Sequence, residues 1–326
     1  MADVKGVVIT GASSGIGAAT AEAFATRGSR IVIAARSREA LETVAERCRA
    51  SGAQVLVVPA DVTDAEAVAE LARAARTWLG SIDLWFSNVG IGAVGKFHEV
   101  PIDAHRQVIE ANLIGHLNDA HAVLPIFIEQ GRGIFVNMIS VGGFVPAPWA
   151  VAYTASKFGL RGMSQALRGE MAPYHHIHIC DVYPTFVDTP AIRHAGNYTG
   201  GETSVPPGVL DPRTVAAAVV RLADRPRATT AVGAPAATMQ LTQVAPNLTA
   251  GLMYAFMRRY FAKAAPVPAT SGNLFAPPPD DGQVDGGFRL PGQRKAFAAA
   301  GMIGAAALAG GLLLNRRVKS GRAASK

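Results

Sequence analysis

The sequence predicts an α/β fold: one domain built on a doubly wound parallel sheet of about seven strands, followed by a C-terminal linker and a hydrophobic helix. Three observations carry this. From the start of the chain to about residue 235, short β-branched runs alternate with longer amphipathic stretches, and alternation at those lengths means repeated βα units with helices on both faces of a parallel sheet. A glycine-rich turn lies at the first strand-to-helix junction. Residues 266–292 then carry six prolines and five glycines, which marks the end of the body. At 326 residues and 49% apolar composition, the chain can fill a sizeable core.

Taken in order, "VKGVVIT" reads as the first strand and "GIGAATAEAFATRG" as its helix, followed by "RIVIAAR", "REALETVAERCRAS" and "AQVLVVPA". The rhythm continues with "SIDLWFSN", a long helix from about Asp103, "GIFVNMIS", a helix from about Val151, "HIHICDVYP", a helix from about Asp211 and a last short strand near Thr229 to Val232. Residues 247–263 place Leu248, Leu252, Met253, Phe256, Met257, Tyr260 and Phe261 at helical spacing. Such a stripe reads first as core packing, with a membrane-facing role as the alternative. The α/β body is expected to span residues 1–265, the Pro/Gly-rich linker 266–295, a hydrophobic helix 296–314 and a basic tail 315–326.

The net charge is +7, and its placement decides its meaning. Residues 286–326 hold eight basic and no acidic side chains, whereas residues 1–285 hold 23 basic and 24 acidic ones. A neutral body with 7% aromatics and no basic stripe argues against nucleic acid. Two cysteines and no cleavable apolar leader at "MADVKGVVIT" fit a cytoplasmic catalytic domain. As a helix, residues 296–314 would be about 28 Å long at ~1.5 Å per residue, enough to span a bilayer. The arginines and lysines beyond it would then cross against the positive-inside tendency. Three readings of 296–326 therefore stay open: a spanning anchor, a segment lying on anionic lipid, and a soluble or oligomer-packing helix.

The chemistry is carried by a few motifs. "TGASSGIG" places Gly11, Gly15 and Gly17 where the chain must turn sharply and bring main-chain amides, with those of Ser13, Ser14 and Ile16, against a diphosphate at a helix start. The second strand ends in Ala35 and Arg36 rather than a carboxylate. A guanidinium there suits a 2′-phosphate, so NADP(H) is the expected cofactor. "YTASK" sets Tyr153 and Lys157 four residues apart on one helix face, where an ammonium lowers the phenol's pKa toward use as an acid/base. Ser140, thirteen residues before Tyr153, ends a strand and can donate to a substrate oxygen, and Asn112 lies in "NLIG" on the preceding helix.

From about Val4 to Val232 these residues resemble the short-chain dehydrogenase/reductases, a Rossmann-type family whose glycine turn T-G-x-x-x-G-x-G falls on Thr10, Gly11, Gly15 and Gly17. The resemblance implies a catalytic tetrad of Asn112, Ser140, Tyr153 and Lys157. Tyr153 would move the proton, Ser140 orient the reacting oxygen, Lys157 hold the nicotinamide ribose and lower the tyrosine's pKa, and Asn112 hold a water that relays to Lys157. It further implies adenine contacts at Asp61 and Val62, cofactor contacts at Asn88 and Gly90, and a nicotinamide segment containing Pro184, Val187 and Thr189. Two motifs depart: Ser87 and Val89 stand in "SNVG" where the family has asparagine and alanine, and Thr185 in "PTFVDT" replaces a glycine. The family's habit of pairing through long helices implies a homodimer or tetramer.

His175, His176 and His178 crowd one strand start, but no carboxylate or cysteine completes a ligand set, so no metal is expected. Phe144, Trp149 and Phe186 are candidate walls of a largely apolar substrate pocket. The reading is an NADP(H)-dependent oxidoreductase acting on a carbonyl or alcohol of an apolar substrate. The alternative is a catalytically silent nucleotide-binding scaffold recruited to a membrane by its tail.

Overall fold

A computed structural model of the chain describes residues 6–203, 205, 208–233, 244–278 and 282–289. The expected hydrophobic helix 296–314, the basic tail and the membrane readings that rest on them lie outside the described residues. Among those described, no helix is long and apolar enough to cross a membrane.

Seven parallel strands form one sheet in the order β3-β2-β1-β4-β6-β7-β9, as the alternation predicts. They are β1 (Gly6–Thr10), β2 (Arg30–Ala35), β3 (Val55–Pro59), β4 (Leu84–Ser87), β6 (Gly133–Met138), β7 (Ile177–Pro184) and β9 (Thr229–Val232). Two short strands not read from the sequence, β5 (Ala93–Val94) and β8 (Gly196–Asn197), pair with each other as a separate two-stranded sheet. Strand residues alternate between two cores. Val7, Ile9, Leu84, Phe86, Val136 and Val182 face one layer of helices; Val8, Val32, Trp85 and Phe135 face the other. Each such side chain, fully buried, contributes about 1.5–3 kcal/mol, which is why the central strands carry no polar face. The strand order reverses between β1 and β4, and the crevice at their carboxyl ends is where such sheets bind ligands.

The covering helices start on side-chain caps. Ser37 caps α2 (Arg38–Ala50), Asp64 caps α3 (Ala65–Leu79) and Asp211 caps α8 (Pro212–Asp224), each accepting from main-chain amides of the first turn. By contrast α1 (Gly15–Ala25) has no side-chain cap bond. The helix expected from Asp103 is interrupted: α4 (Ile102–Ile109) passes through a π turn (Glu110–Ile114) into α5 (Gly115–Gln130). Then come α6 (Val151–Glu170), α7 (Ala191–His194) and α9 (Pro246–Phe261).

Two expectations are corrected. The stripe on α9 is not core: Leu248, Leu252 and Phe256 are each more than half exposed, and Thr249 is the helix's one buried residue. The helix touches the body near its C-terminal end, where Phe261 stacks on Trp149 with centroids 5.0 Å apart. Residues 266–278 and 282–289, expected as part of a linker beyond the end of the body, lie docked along it, with Leu274 and Val284 buried in two of its apolar clusters. Helical spacing reports that a face is apolar and not what covers it. Proline and glycine report the absence of regular structure and not of contact.

Candidate active site

The glycine turn is shaped for close approach. Gly11 and Gly15 have φ of +64° and +54°, a region that favours glycine. A Cβ on Gly17 would stand 2.1 Å from the Gly11 carbonyl oxygen, so α1 packs directly on the turn. Ser13, Ser14 and Ile16 are half-buried along it. No side chain caps α1; the Gly15 amide donates to the Gln283 carbonyl over 2.9 Å, and the amides that follow it in the first turn suit a diphosphate. These residues therefore fit a dinucleotide.

The flanking positions converge on the same crevice. Asn88 donates to the Gly11 carbonyl over 3.1 Å, and the segment after it lies so close that a Cβ on Gly11 would meet Val89 Cα at 3.1 Å. Asp61 accepts from the amide and hydroxyl of Thr63, while Val62 packs on Gly115 and its carbonyl accepts from Asn118. Arg36, at the end of β2, directs Nη2 to the main-chain carbonyls of Asn273 (3.0 Å) and Ala276 (3.4 Å). On the far side, Pro184 ends β7, Val187 bridges to Leu210, and the Thr189 methyl would lie 3.0 Å from a Cβ on Gly15.

The departures from the resemblance have local reasons. Ser87 donates to Asp119 Oδ2 over 2.6 Å, and Thr10 does so over 2.8 Å. This ties the ends of β1 and β4 through α5. Burial pushes the Asp119 carboxyl up to about 7 against those bonds. Thr185 is accommodated by Gly233, at φ +95°, where a Cβ would come within 2.4 Å of its hydroxyl.

The four expected catalytic residues are brought together by β6, α6 and the π turn. Ser140 follows β6 with φ of +119°, unusual for a residue with a side chain, and such strain concentrates at functional sites. Its Oγ accepts from the Gly142 amide over 3.1 Å, leaving its own hydrogen to donate. Tyr153 and Lys157 lie one turn apart, with Nζ 5.7 Å from the phenol ring centroid. Lys157 is 3% exposed, donates to the Met138 carbonyl over 3.1 Å, and lies beside Gly90, whose Cβ would be 3.9 Å from Nζ.

The electrostatics correct one expectation. Burial pushes Tyr153 above the usual phenol range, with a hydrogen bond from Ser140 pulling it back. Burial also lowers Lys157 to about 7. Within the protein's own groups, desolvation therefore outweighs the expected lysine–tyrosine effect.

Asn112 sits on the π turn, fully buried. Its amide exchanges two hydrogen bonds with the Ile91 main chain (2.8 and 2.9 Å) and reaches Ser156. The side chain thereby pins the segment after Gly90. Phe144, a candidate pocket wall, is 7% exposed and packs on Tyr183 with Arg161 over its ring, whereas Phe186 is 55% exposed. His116 was not anticipated; it links the Val89 carbonyl to Asn137, and burial lowers it to about 4. Cys48 and Cys180 are free and buried.

Comparison with known proteins agrees with this geometry. A short chain dehydrogenase family model matches residues 5–197, more than half of the chain. An uncharacterized oxidoreductase of Staphylococcus aureus is 33% identical over 223 residues, covering 68% of this chain and 92% of the relative. A 1-deoxy-11-beta-hydroxypentalenate dehydrogenase of Streptomyces exfoliatus is 37% identical over 206 residues, covering 62% of this chain and 74% of the relative. The alcohol dehydrogenase of the archaeon Thermococcus sibiricus, solved with 5-hydroxy-NADP, superposes with a TM-score of 0.61 at 28% identity, covering 70% of this chain and 94% of that one. The chain belongs to the short-chain dehydrogenase family, and its body is an oxidoreductase fold of that family.

Proposed function

We propose that the protein is an NADP(H)-dependent oxidoreductase acting on a carbonyl or alcohol of an apolar substrate, with Tyr153 as general acid/base. The observation that carries this is the convergence of Ser140, Tyr153 and Lys157 at the carboxyl end of β6, against Gly90 and opposite the glycine turn. The glycine turn, Asn88, Gly90, Thr189 and Arg36 would hold the dinucleotide, Arg36 at its 2′-phosphate. A bound nicotinamide supplies or accepts hydride at C4. Ser140 would turn its hydroxyl hydrogen from Tyr153 to the substrate oxygen as charge develops there. Tyr153, kept protonated by burial, delivers the phenolic proton to that oxygen in reduction and takes it back in oxidation. Lys157 spends one donor on Met138 and has two more for ribose hydroxyls. With the Asn112 amide committed to Ile91, any water it relays is held by main chain.

The test follows NADPH absorbance with hydrophobic ketones and aldehydes, and the reverse reaction with alcohols. Wild type is expected to turn over members of the panel, and Tyr153→Phe to lose about 10³-fold, within the ~10²–10⁴ range of general acid catalysis. If both are inert while both bind NADP(H), the scaffold reading replaces this one. Arg36→Ala should weaken NADPH by about tenfold or more and leave NADH nearly unchanged; an unchanged preference overturns the phosphate assignment.

A further inference from the structure

Residues 271–278 and 282–289 follow the groove that the cofactor reading assigns to the dinucleotide. Thr270 exchanges two main-chain hydrogen bonds with Asn197, and the Asn273 amide donates to the His194 carbonyl. Leu274 is fully buried beside Ile91 and Ala93, in the cluster against which Tyr153 packs. The Asn273 and Ala276 carbonyls take Nη2 of Arg36. Beyond residue 281, the Gly282 carbonyl accepts from Arg47, and the Gln283 carbonyl accepts from the Gly15 amide over 2.9 Å. The Gly286 and Phe288 amides donate to Asp188, next to Thr189.

The far end is fastened by charge. Asp285 takes a two-pronged pair from Arg213 (2.9 and 3.0 Å). Arg289 pairs with Asp188 over 2.9 Å and also with Asp211 and Asp285. Apart from Asp188, these side chains are one-third to one-half exposed, so each pair is weak and screened by salt. The near end is fastened by the buried Leu274, which salt does not weaken. A second observation points to a ligand beneath. Asn273 is 8% exposed, and its side-chain oxygen is buried with no hydrogen-bond partner among the described residues. A buried acceptor without a donor is costly, and a sugar hydroxyl supplies one.

The geometry points to a strap: residues 271–278 and 282–289 close over the bound dinucleotide, and release of the charged clasp at Asp285 and Arg289 sets the rate of cofactor exchange. The inference rests on the NADP(H) reading above. It makes cofactor release a property of the C-terminal segment.

The full chain and two variants test it: Asp285→Asn, and a chain ending after Pro278, which keeps Leu274. NADPH fluorescence gives the affinity at equilibrium, and chasing with excess NADP in a stopped-flow instrument gives the release rate. Thermal unfolding confirms that each variant is folded. Expected are release about tenfold faster in Asp285→Asn and faster still in the shortened chain, with affinity weakened in step. Wild-type release should accelerate with salt, and that of the shortened chain should depend on salt much less. Release unchanged in both folded variants overturns the strap alone. Tighter NADPH binding by the shortened chain also overturns it, because the segment would then compete for the groove. No NADPH signal in wild type overturns the cofactor reading, and the strap with it.

Discussion

Two buried ionisable centres flank the carboxyl end of β4, and they differ in one respect that separates chemistry from architecture. Asp119 and Lys157 are both all but sealed from solvent, and burial moves both to about 7, the acid upward and the base downward. Asp119 receives hydroxyl donors from Thr10 and Ser87, and those bonds tie two strands to a helix. Lys157 gives one donor to Met138 and lies between Tyr153 and Gly90, with the others unspent among the described residues. A shifted pKa marks burial in both cases. Unspent hydrogen-bonding capacity facing a crevice marks the working site.

The largest effect that would sharpen this contrast comes from Lys157→Met. Turnover should fall by about 10²-fold or more, the range for a positioned proton-transfer group, while thermal stability at pH 7 is no lower than wild type, because a buried cation has been removed. A variant that loses stability and activity together would make Lys157 an architectural residue. Asp119→Ala should do the opposite. Stranding two buried hydroxyls costs about 2–3 kcal/mol of stability, at ~1–3 kcal/mol for each unsatisfied group with some relaxation, and the folded fraction should retain its turnover. Full stability in a denaturant melt would remove Asp119 from the frame.

The smallest effect is a pH profile. A raised carboxyl means that the folded state binds more protons than the unfolded state between about 4 and 7, so Asp119 makes stability fall with rising pH across that window. A lowered lysine means that the unfolded state binds more protons above about 7, so Lys157 makes stability rise from there toward pH 10. Together they carve a trough near neutrality. Asp119→Asn should flatten the acid limb and Lys157→Met the alkaline one, measured as thermal midpoint against pH. A trough that survives both substitutions would assign it to other groups.

The same contrast shows what could be read from the sequence. The seven strands were legible because central strands buried on both faces must be short β-branched runs, and the glycine turn and "YTASK" were legible because their chemistry demands fixed spacings. Asp119 was not, since an aspartate within "HLNDAHAV" reads as a solvated helix face; only Ser87, standing where the family has asparagine, hinted at a changed partner. The π turn left no mark because a one-residue shift in apolar spacing falls within the ordinary width of a buried helix face. The docked segment after residue 265 was hidden for a different reason. It attaches through main-chain carbonyls of Asn273, Ala276, Gly282 and Gln283 and through charge pairs far apart in the chain, none of which leaves a periodic pattern. The exposed face of α9 shows the converse, a pattern without a covering partner among the described residues.

The π turn also has a bearing on how this scaffold tolerates length changes. One extra residue in that turn rotates everything downstream by about 100° relative to a continuous helix. The turn therefore works as a phase adjuster. Upstream it lets Ala104 and Val108 face the body, and downstream it brings His116, Asp119 and Val123 round to the sheet. Deleting a single residue between Glu110 and Ile114 would turn those three away together, carrying the anchor of β1 and β4 toward solvent. At this place loss of a residue should harm the protein far more than exchange of one, and insertions or deletions among homologues should avoid it.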